Sequence, residues 1–523
     1  MNVETLVRPG EYRDSVALML IARELGALPG VIDVSVVMGT PANKAVLRQA
    51  GLMTGEANAA TPNDLLIVVK AKDEASARAA IAQAQMLLAQ KAALIQSTGA
   101  ARPRTIRGAV RATPNANMAV VSVPGQYAAA QAWDALRANL HVLLFSDHVG
   151  MDDEIALKEY ARDHGLLLMG PGAGTAILNG VGLGFANAIP RGDIGIVAAA
   201  GTGLQEVSTL IAKAGVGITQ AIGVGGRDVS EKVGGIMLLE GLKILQADSD
   251  TRFIVVVSKM PAASVVAKLL AQVNKSAKPT ILALMANSEV RSQKSESRIQ
   301  NLVFANDLRE AAAIAIALSH GKSVDAARNQ LADEDRAIER KARALRRKLE
   351  ARQKYLRGLY SGGTLCEETM RIWQAALGDI WSNAPLDAKF KLADSNKSRR
   401  HTVIDLGEEE FTIGRPHPMI DNTIRVKRIL QEARDPSVAA IVLDVVIGWG
   451  AHPDPASELA PAIAEAKRIA AKKQRELIVV ASVTGTDNDP QNLSRQTGTL
   501  KKAGAIVMSS NAAAAMLASW IVA

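Results

Sequence analysis

The sequence predicts an α/β protein built from several doubly wound, Rossmann- or flavodoxin-like parallel sheets and a small N-terminal α/β domain. Short apolar runs, typical of strands buried on both faces, alternate with helical segments along most of the chain. Apolar residues make up 48% of the 523 residues and aromatic residues only 3%, and small apolar side chains let helices pack closely on a sheet. A chain of this length indicates about two to four domains rather than one core.

The clearest strand-turn-helix unit lies within Ile194–Ile236. The apolar run Ile194–Ala200 leads into the turn Gly201-Thr202-Gly203 and then into a helix. A second strand, Gln220–Val224, ends in Gly225-Gly226-Arg227-Asp228. A helix that starts without a cap leaves free N–H groups at the positive end of its macrodipole, so the first turn predicts a phosphate site. A tight turn without a ligand is the alternative.

The order of elements divides the chain into five segments. They are a small N-terminal α/β domain at 1–98, α/β domains at 118–190 and 191–330, a basic helical linker at 331–357, and a last α/β domain at 358–523. The last segment repeats the strand-turn-helix pattern, because Gly358–Leu365 is another glycine turn that leads into a helix. Its buried strand Ala440–Ile447 ends in Gly448-Trp449-Gly450.

The net charge of +9 is concentrated in one place. Residues 336–357 contain ten Lys or Arg and two Glu, which accounts for +8. This pattern favours a solvated helical linker or a helix that docks a partner. A surface that follows phosphates usually interleaves aromatic residues with basic ones, so we expect no nucleic-acid partner.

The single cysteine and the absence of long apolar runs predict a cytoplasmic protein. Cys366 cannot form an intramolecular disulfide, which fits a reducing compartment, and we interpret it as a packed helix residue. The sequence contains no uninterrupted apolar run of about 18 residues, the length that would span a bilayer. We therefore expect no membrane association.

Several polar loop residues are candidates for substrate binding. In the loop Met38–Lys44, Asn43 and Lys44 stand near a helix start and could hold an anion, although Thr40 and Pro41 also read as an ordinary helix cap.

Two arginines and a histidine in loops are further candidates for a functional site. Arg227 and Arg415 could bind a carboxylate bidentately; ion pairs with Asp228 or Asp421 are the alternative. His417, between two prolines, could polarise a carbonyl, move a proton, or make a structural hydrogen bond.

His452 and Asp444 form a candidate polar pair near the second glycine turn. His452 and Asp444 could meet there, but a metal needs more ligands than the spacing supplies, so we predict no metal.

Longer motifs reveal a family resemblance. Residues 118–285 resemble the α subunit of succinyl-CoA synthetase through MGPGAGT, IGIVAAAGTGLQE and GVGGRD. Residues 401–523 resemble the ligase domain of its β subunit through VIDLG, VLDVVIGWG and KKAGAIVMSSNAAAAMLASWIV. The whole chain, including MGTPANK, GLYSGGTL and GRPHPMID, resembles the FdrA family of acyl-CoA synthetase-like proteins.

The resemblance implies a succinyl-CoA synthetase-like fold and assigns a type to each predicted domain. Residues 118–190 become a truncated CoA-binding-like Rossmann domain, 191–330 an α-type ligase domain and 358–523 a β-type ligase domain.

The chain departs from the synthetase pattern in three ways. It has no histidine between His164 and His320, and Ala286–Val290 replaces the loop that carries the phosphohistidine. The glycine-rich turn that opens the CoA-binding domain is missing, and the stretch from Gly358 to His401 is too short for an ATP-grasp region. The expectation is that the chain uses no cofactor and that CoA binding is doubtful.

The resemblance also implies a site. Gly201-Thr202-Gly203 and Gly448-Trp449-Gly450 match two facing helix termini that would hold phosphate, with Gly225 and Gly226 as further substrate contacts. Glu206 is placed where the synthetase has a carboxylate beside the phosphohistidine. The catalytic candidates implied together are Glu206, Arg227, Arg415 and His417.

The activity implied by the family is oxamate carbamoyltransferase, a reaction of purine and allantoin breakdown made with partner subunits. Its substrates would be small phosphate and carboxylate compounds. One alternative is a CoA ligase that needs a separate nucleotide-binding subunit. Another is a non-catalytic scaffold or anion sensor that docks through the basic helix; the chain would assemble with other subunits, with itself, or both.

Overall fold

The computed structural model describes residues 2–13, 15–96, 103–285, 300–412 and 416–523. The chain divides into two compact units. The first consists of Met1–Asn115 and Glu408–His417, and the second of Ala116–Gly407 and Pro418–Ala523.

The N-terminal part of the first unit is a three-stranded antiparallel sheet covered by helices, with strand order β1-β3-β2. Its elements are β1 (Asn2–Arg8), α1 (Ser15–Gly26), β2 (Val31–Met38), α2 (Pro41–Gln49), α3 (Gly55–Ala59), β3 (Leu65–Ala71), α4 (Glu74–Gln96) and α5 (Ile106–Ala112). The central strand β3 is apolar and almost wholly buried, so it organises the core of this sheet. Helix α5 lies in the stretch between the first two predicted domains.

The second unit begins with a small parallel sheet of order β4-β5-β6. Its elements are β4 (Met118–Val121), α6 (Gly125–Arg137), β5 (His141–Leu144), α7 (Met151–Asp163) and β6 (Leu168–Met169).

A seven-stranded sheet follows, with order β13-β12-β11-β9-β10-β7-β8. Its elements are β7 (Thr175–Leu178), β8 (Val181–Gly184), β9 (Arg191–Ala199), α8 (Gly201–Lys213), β10 (Ile218–Gly223), α9 (Ile236–Ala247), β11 (Phe253–Ser258), α10 (Ala263–Val273), β12 (Thr280–Leu284), β13 (Leu302–Phe304) and α11 (Leu308–Ser319). The hairpin β7–β8 pairs antiparallel with β10, so these strands of the predicted 118–190 domain belong to the sheet of the next domain.

The last sheet is parallel and six-stranded, with order β15-β16-β14-β17-β18-β19. Its region contains α12 (Val324–Arg346), β14 (Tyr355–Tyr360), α13 (Gly363–Leu377), β15 (Trp381–Ser382), β16 (Thr402–Asp405), α14 (Glu409–Thr412), α15 (Thr423–Glu432), β17 (Val438–Val446), α16 (Pro455–Ala471), β18 (Ile478–Thr484), α17 (Leu493–Lys502), β19 (Ile506–Met508) and α18 (Asn511–Val522). Of these, α14 belongs to the first unit.

In both large sheets the strand order reverses at the first of the parallel strands, β9 in one sheet and β14 in the other. Strand β9 pairs with β10 on one side and β11 on the other, and β14 pairs with β16 and β17 in the same way. The chain winds outward on both sides of such a strand, which leaves a crevice at its carboxyl end where open α/β sheets bind ligands. Helices α8 and α13 start at these two points.

The predicted basic linker is part of the packed core. Helix α12 starts at Val324, before the predicted boundary at 331, and ends at Arg346. It packs against α11 and α18 through a buried face formed by Ala327, Leu331, Ile338 and Ala342. The arginines of its second half, at 336, 340, 343 and 346, are exposed. The helical period places apolar and basic residues on different faces of α12. One face therefore packs in the core while the other carries the positive charge.

Candidate anion-binding site

Helices α8 and α13 both begin without a side-chain cap. The residues before them are Ala200 and Gly362, and neither supplies a capping hydrogen bond. Within the described ranges, no residue accepts a hydrogen bond from the amides of 201–203 or 363–365. Each helix therefore presents three free N–H donors and the positive end of its dipole.

The two helix starts are in direct contact. A Cβ atom built on Gly362 would lie 2.7 Å from Thr202 Cγ2 and 2.9 Å from its hydroxyl oxygen, and one built on Gly203 would lie 2.8 Å from Thr364 Cγ2. Glycine is required at both positions because no side chain fits between the helices. The termini of α8 and α13 therefore form one site with two sets of amide donors.

A lysine adds a positive charge to this site. Lys259 directly follows β11, and its Nζ lies 3.4 Å from the Cβ position of Gly363. Asp405, at the end of β16, places Oδ2 2.7 Å from the same position. Lys259 makes no ion pair with any residue in the described parts of the chain. The free amides and the ammonium group attract a phosphate or a carboxylate, whereas the Asp405 carboxylate at the same position opposes this attraction.

The second half of the site differs from the prediction. The amide of Gly448 donates to Gln491 Oε1 (3.0 Å), and the amide of Trp449 donates to the carbonyl of Ala186 (2.7 Å). Two of the three amides assigned to phosphate are thus already used within the protein. The turn that contacts Gly201–Gly203 is Ser361–Gly363. Phosphate binding by Gly448–Gly450 stays a prediction.

The Glu206 carboxylate is held by hydrogen bonds within the protein. Its carboxylate accepts hydrogen bonds from the Asn511 amide (2.9 Å) and the Thr484 hydroxyl (2.5 Å), and it is 1% exposed. It therefore ties α8 to the first residue of α18 and to the end of β18. These contacts account for the buried carboxylate without a catalytic role, although none of them tests such a role.

Arg227 is already paired. Its guanidinium binds Glu154 Oε2 at 2.9 Å and the carbonyl of Val149 at 2.9 Å. The predicted alternative partner, Asp228, instead binds Lys158 Nζ at 2.7 Å and the first amides of α9. Arg227 therefore forms an ion pair through Nη2, and its side chain is 38% exposed, so carboxylate binding by Arg227 stays a prediction.

Gly225 and Gly226 have different surroundings. Gly225 has φ of +84°, and a Cβ there would lie 2.6 Å from the carbonyl of Pro171, so the turn needs glycine for a close approach of two loops. A Cβ on Gly226 would come no closer than 3.9 Å to Ala199 O. Substrate contact by either glycine stays a prediction.

The structure favours the helix-cap interpretation of the first unit's loop. Thr40 caps α2 by accepting from the Asn43 amide, and the Asn43 side chain donates to Met38 O at 2.8 Å. Lys44 Nζ donates to the carbonyls of Asn58 (2.8 Å) and Ala60 (2.5 Å). These bonds occupy both side chains that were candidates for substrate binding.

The remaining catalytic candidates are not tested. Arg415 lies outside the described residues. His417 is half-buried and belongs to the first unit. Their roles stay predictions from the sequence.

The predicted pair of His452 and Asp444 does not form. His452 Nε2 lies 2.8 Å from Glu458 Oε1, and its Nδ1 accepts from the Asp454 amide. Asp444 binds Arg425, Ser361 and Gly362.

Sequence reasoning missed Lys259, and it paired Asp444 with His452 rather than with the turn before α13. Lys259 had a signal, because it directly follows the buried strand Phe253–Ser258, where parallel sheets place ligand-binding residues. The turn before α13 was recognised as a glycine turn but not as the partner of Gly201–Gly203. Only the contact between Thr202 and Gly362 identifies that partner.

Two switch-point parallel sheets, joined through facing helix termini, define a CoA-ligase-type α/β protein. A family model described as CoA-ligase matches residues 359–521, and one described as CoA binding domain matches residues 191–283. A third, described as AllF, heavy metal-associated domain, matches residues 1–103.

The relatives identify the family. The protein YahF of Escherichia coli strain K12, itself uncharacterized, is 43% identical over 518 residues, which cover 99% of this chain and 98% of YahF. The chain belongs to the same family, the FdrA family of acyl-CoA synthetase-like proteins. The α subunit of succinate–CoA ligase from Staphylococcus epidermidis is 30% identical over 149 residues, 28% of this chain and 48% of that subunit. The chain thus matches about half the length of that relative.

Solved structures add weaker likenesses. Acetyl-coenzyme A synthetase 1 of Ca. Korarchaeum cryptofilum covers 77% of this chain, and the match spans 82% of that chain, with 15% identity and a TM-score of 0.33. ATP citrate lyase of Methanothrix soehngenii covers 42% of this chain and 41% of its own, with 15% identity and a TM-score of 0.37. Likeness at this level does not bear on the activity.

The expectation of no cofactor is wrong, because two of the matching family models are described by CoA binding or CoA ligation. Outside the two matched segments, 191–283 and 359–521, one helix start offers free amide donors. Helix α6 starts at Gly125 without a side-chain cap, and the amides of Gly125 and Gln126 donate to no described residue. Free amides at a helix start are the donors that a pyrophosphate requires.

The residues do not fit a heavy metal in the matched N-terminal domain. Residues 1–103 contain no cysteine and no histidine. The thiolate and imidazole ligands that hold zinc and most soft metals are therefore missing from this segment. In the portion of the chain that the structure describes, no three His, Cys, Asp or Glu side chains are grouped to hold a metal.

No helix within the described ranges is long and apolar enough to cross a bilayer.

Proposed function

We propose that this chain is a subunit of a carbamoyltransferase of the oxamate type, which converts oxalurate and phosphate into oxamate and carbamoyl phosphate. The observation that carries the proposal is the contact between the uncapped starts of α8 and α13, with Lys259 beside them. No histidine lies between residues 164 and 320 to carry a phosphoryl group there. A phosphate bound at this site would therefore arrive as a free or substrate-borne group.

The proposed step needs no covalent enzyme intermediate. An oxygen of phosphate bonds to the ureido carbonyl carbon of oxalurate, the bond from that carbon to the oxamate nitrogen breaks, and the phosphate proton passes to the nitrogen. Amides 201–203 and 363–365 hold the phosphate in place, and Lys259 balances the charge of the substrate carboxylate. Holding two anions together against their repulsion supports catalysis by orientation and fixed dipoles.

The partners and location complete the proposal. We propose that the chain works with other subunits, by analogy with its succinate–CoA ligase relative, which is an α subunit. A cytoplasmic location is proposed from its single cysteine, which fits a reducing compartment.

The test uses the full chain, alone and with its candidate partner subunits. Incubation with oxalurate and phosphate should release carbamoyl phosphate, measured by trapping it with ornithine as citrulline. Lys259→Gln should reduce oxalurate affinity about 10- to 100-fold, the loss expected when one charge-assisted hydrogen bond to the substrate carboxylate is removed. Lys275→Gln, at an exposed lysine after α10, is the charge-matched control and should leave turnover unchanged. No carbamoyl phosphate from any subunit combination would sink the proposal.

The second candidate is a CoA-thioester ligase that requires a separate nucleotide-binding subunit. It is favoured by the CoA family models and by the free amides at the start of α6. CoA holds and delivers an acyl group as a thioester, and the residues of α6 would bind its pyrophosphate. Millimolar CoA should then raise the melting temperature by mass action. An unchanged melting temperature with CoA and with acyl-CoA would count against this candidate.

A non-catalytic scaffold or anion sensor would give a third result. Phosphate would bind and stabilise the chain, but no combination of subunits would turn over oxalurate or form a thioester.

A further inference from the structure

The turn before α13 is held by a buried carboxylate on the neighbouring strand. Asp444 of β17 is 0% exposed. Its Oδ1 accepts from the Ser361 amide at 2.8 Å, and its Oδ2 accepts from the Gly362 amide at 2.8 Å and the Ser361 hydroxyl at 3.0 Å. Hydrogen bonds to a charged acceptor are the stronger class, so this turn has little freedom.

A buried arginine balances the charge of Asp444. Arg425, on α15, places Nη2 3.0 Å from Asp444 Oδ1, and its side chain is 2% exposed. It also donates to the Asp444 carbonyl and to Asn422. Without Arg425, a bare carboxylate behind the helix start would repel an anion in front of it. The pair leaves the turn fixed and the local charge close to neutral.

The contacts divide the amides of this turn into two groups. The amides of Ser361 and Gly362 point to Asp444, whereas those of 363–365 have no acceptor among the described residues. The turn before α8 has no such anchor, because Ala200 makes no side-chain cap bond. The direction of the α13 amides therefore depends on one carboxylate.

We propose that Asp444, neutralised by Arg425, is a positioning residue that orients the first turn of α13 toward a phosphate group. This inference rests on the proposed anion site. Asp444 acts through the backbone of Ser361 and Gly362, and it touches neither phosphate nor the reacting atoms. Its contribution is to keep three amide donors aligned before the anion arrives.

The test compares two buried ion pairs that differ in location. Asp444→Asn combined with Arg425→Gln removes the pair without leaving one buried charge unpaired. The matched control is Glu432→Gln, which breaks the buried Glu432–Arg357 pair (2.7 Å) at the opposite end of β14. Inorganic phosphate affinity is measured by calorimetry, and hydrogen exchange of the first α13 amides is followed with and without phosphate.

The double variant should weaken phosphate binding at least 10-fold and abolish the phosphate-dependent protection of amides 363–365. The control should lower the melting temperature but keep both the affinity and the protection. Should the double variant fail to fold, Ser361→Ala removes only the hydroxyl bond and should weaken binding a few-fold. If the double variant folds and binds phosphate as tightly as the wild type, the positioning role is overturned. If the double variant does not fold, wild-type phosphate affinity in Ser361→Ala overturns it instead. A wild-type chain that binds no phosphate overturns the anion site itself, and this inference with it.

Discussion

Glycine acts at the anion site mainly by leaving space. Thr202 and Gly362 approach so closely that any Cβ at residue 362 would overlap the threonine, although the φ of −108° at Gly362 would suit any residue. The constraint is therefore contact between two helix starts and not backbone conformation. This differs from Gly225, where a φ of +84° adds a conformational demand.

Substitution of Gly362 by alanine should push the starts of α8 and α13 apart. An added methyl group in a filled contact costs about 1–3 kcal/mol, and we expect phosphate affinity to fall about 10-fold. Gly498→Ala is the control, because a Cβ there meets nothing within 4 Å and the residue lies inside α17. It should stabilise the chain by about 0.5–1 kcal/mol. Calorimetry with phosphate and urea denaturation measure both effects, and equal phosphate affinities for the two variants would contradict the contact model.

At the scale of elements, the two ligase-type halves are joined by reciprocal carboxylate contacts. Glu206 is the sixth residue of α8 and accepts from the Asn511 amide, the first of α18, at 2.9 Å. Glu368 is the sixth residue of α13 and accepts from the Leu308 amide, the first of α11, at 2.8 Å. Each first helix thus caps the last helix of the other half. This repetition supports duplication of one domain type.

The two carboxylates differ in their environment. Burial, reinforced by the nearby charge of Asp307, raises the pKa of Glu368 from its ordinary 4.5 to about 8. The native protein therefore holds a proton on Glu368 that the unfolded chain releases above pH 4.5. Because the native state binds more protons between pH 4.5 and about 8, the contribution of Glu368 to stability falls as pH rises through this window.

Glu368→Gln should remove this part of the pH dependence. We expect the fall in unfolding free energy between pH 5 and 8 to become shallower by up to about 1 kcal/mol per pH unit. Glu367→Gln is the neighbouring control, since Glu367 pairs with Arg371 at 2.9 Å and is only partly buried. Urea denaturation at several pH values measures the slope. A slope in Glu368→Gln that matches the wild type would refute the protonated state of Glu368.

At the scale of the whole molecule, the chain combines an N-terminal domain that matches a heavy metal-associated family with CoA-ligase-type domains. The N-terminal match to a heavy metal-associated domain describes a fold that this chain keeps without its soft ligands. The only thiol of the chain, Cys366, is buried on α13, and burial raises its pKa well above the ordinary value. A protonated, buried thiol is a poor ligand for a soft metal.

The full chain should therefore retain no stoichiometric heavy metal. After incubation with Zn²⁺ or Cu⁺ and desalting, elemental analysis should find far less than one ion per chain. Cys366→Ser is the control that removes the last thiol, and it should give the same result. One equivalent of metal retained by both proteins would show that carboxylates or backbone groups build a site.

The sequence by itself determined the α/β class, the order of strands and helices and the family, and it predicted an anion site at the start of α8. These follow from local features: apolar runs of strand length, glycine turns and motifs that persist along the chain. Tertiary structure decided the rest, because it depends on which distant segments meet. It paired Thr202 with Gly362 rather than with Gly448, engaged Arg227 with Glu154, and made the basic segment one face of a core helix. Residues 202 and 362 stand 160 positions apart, and only sheet order and helix packing bring their two helix starts together.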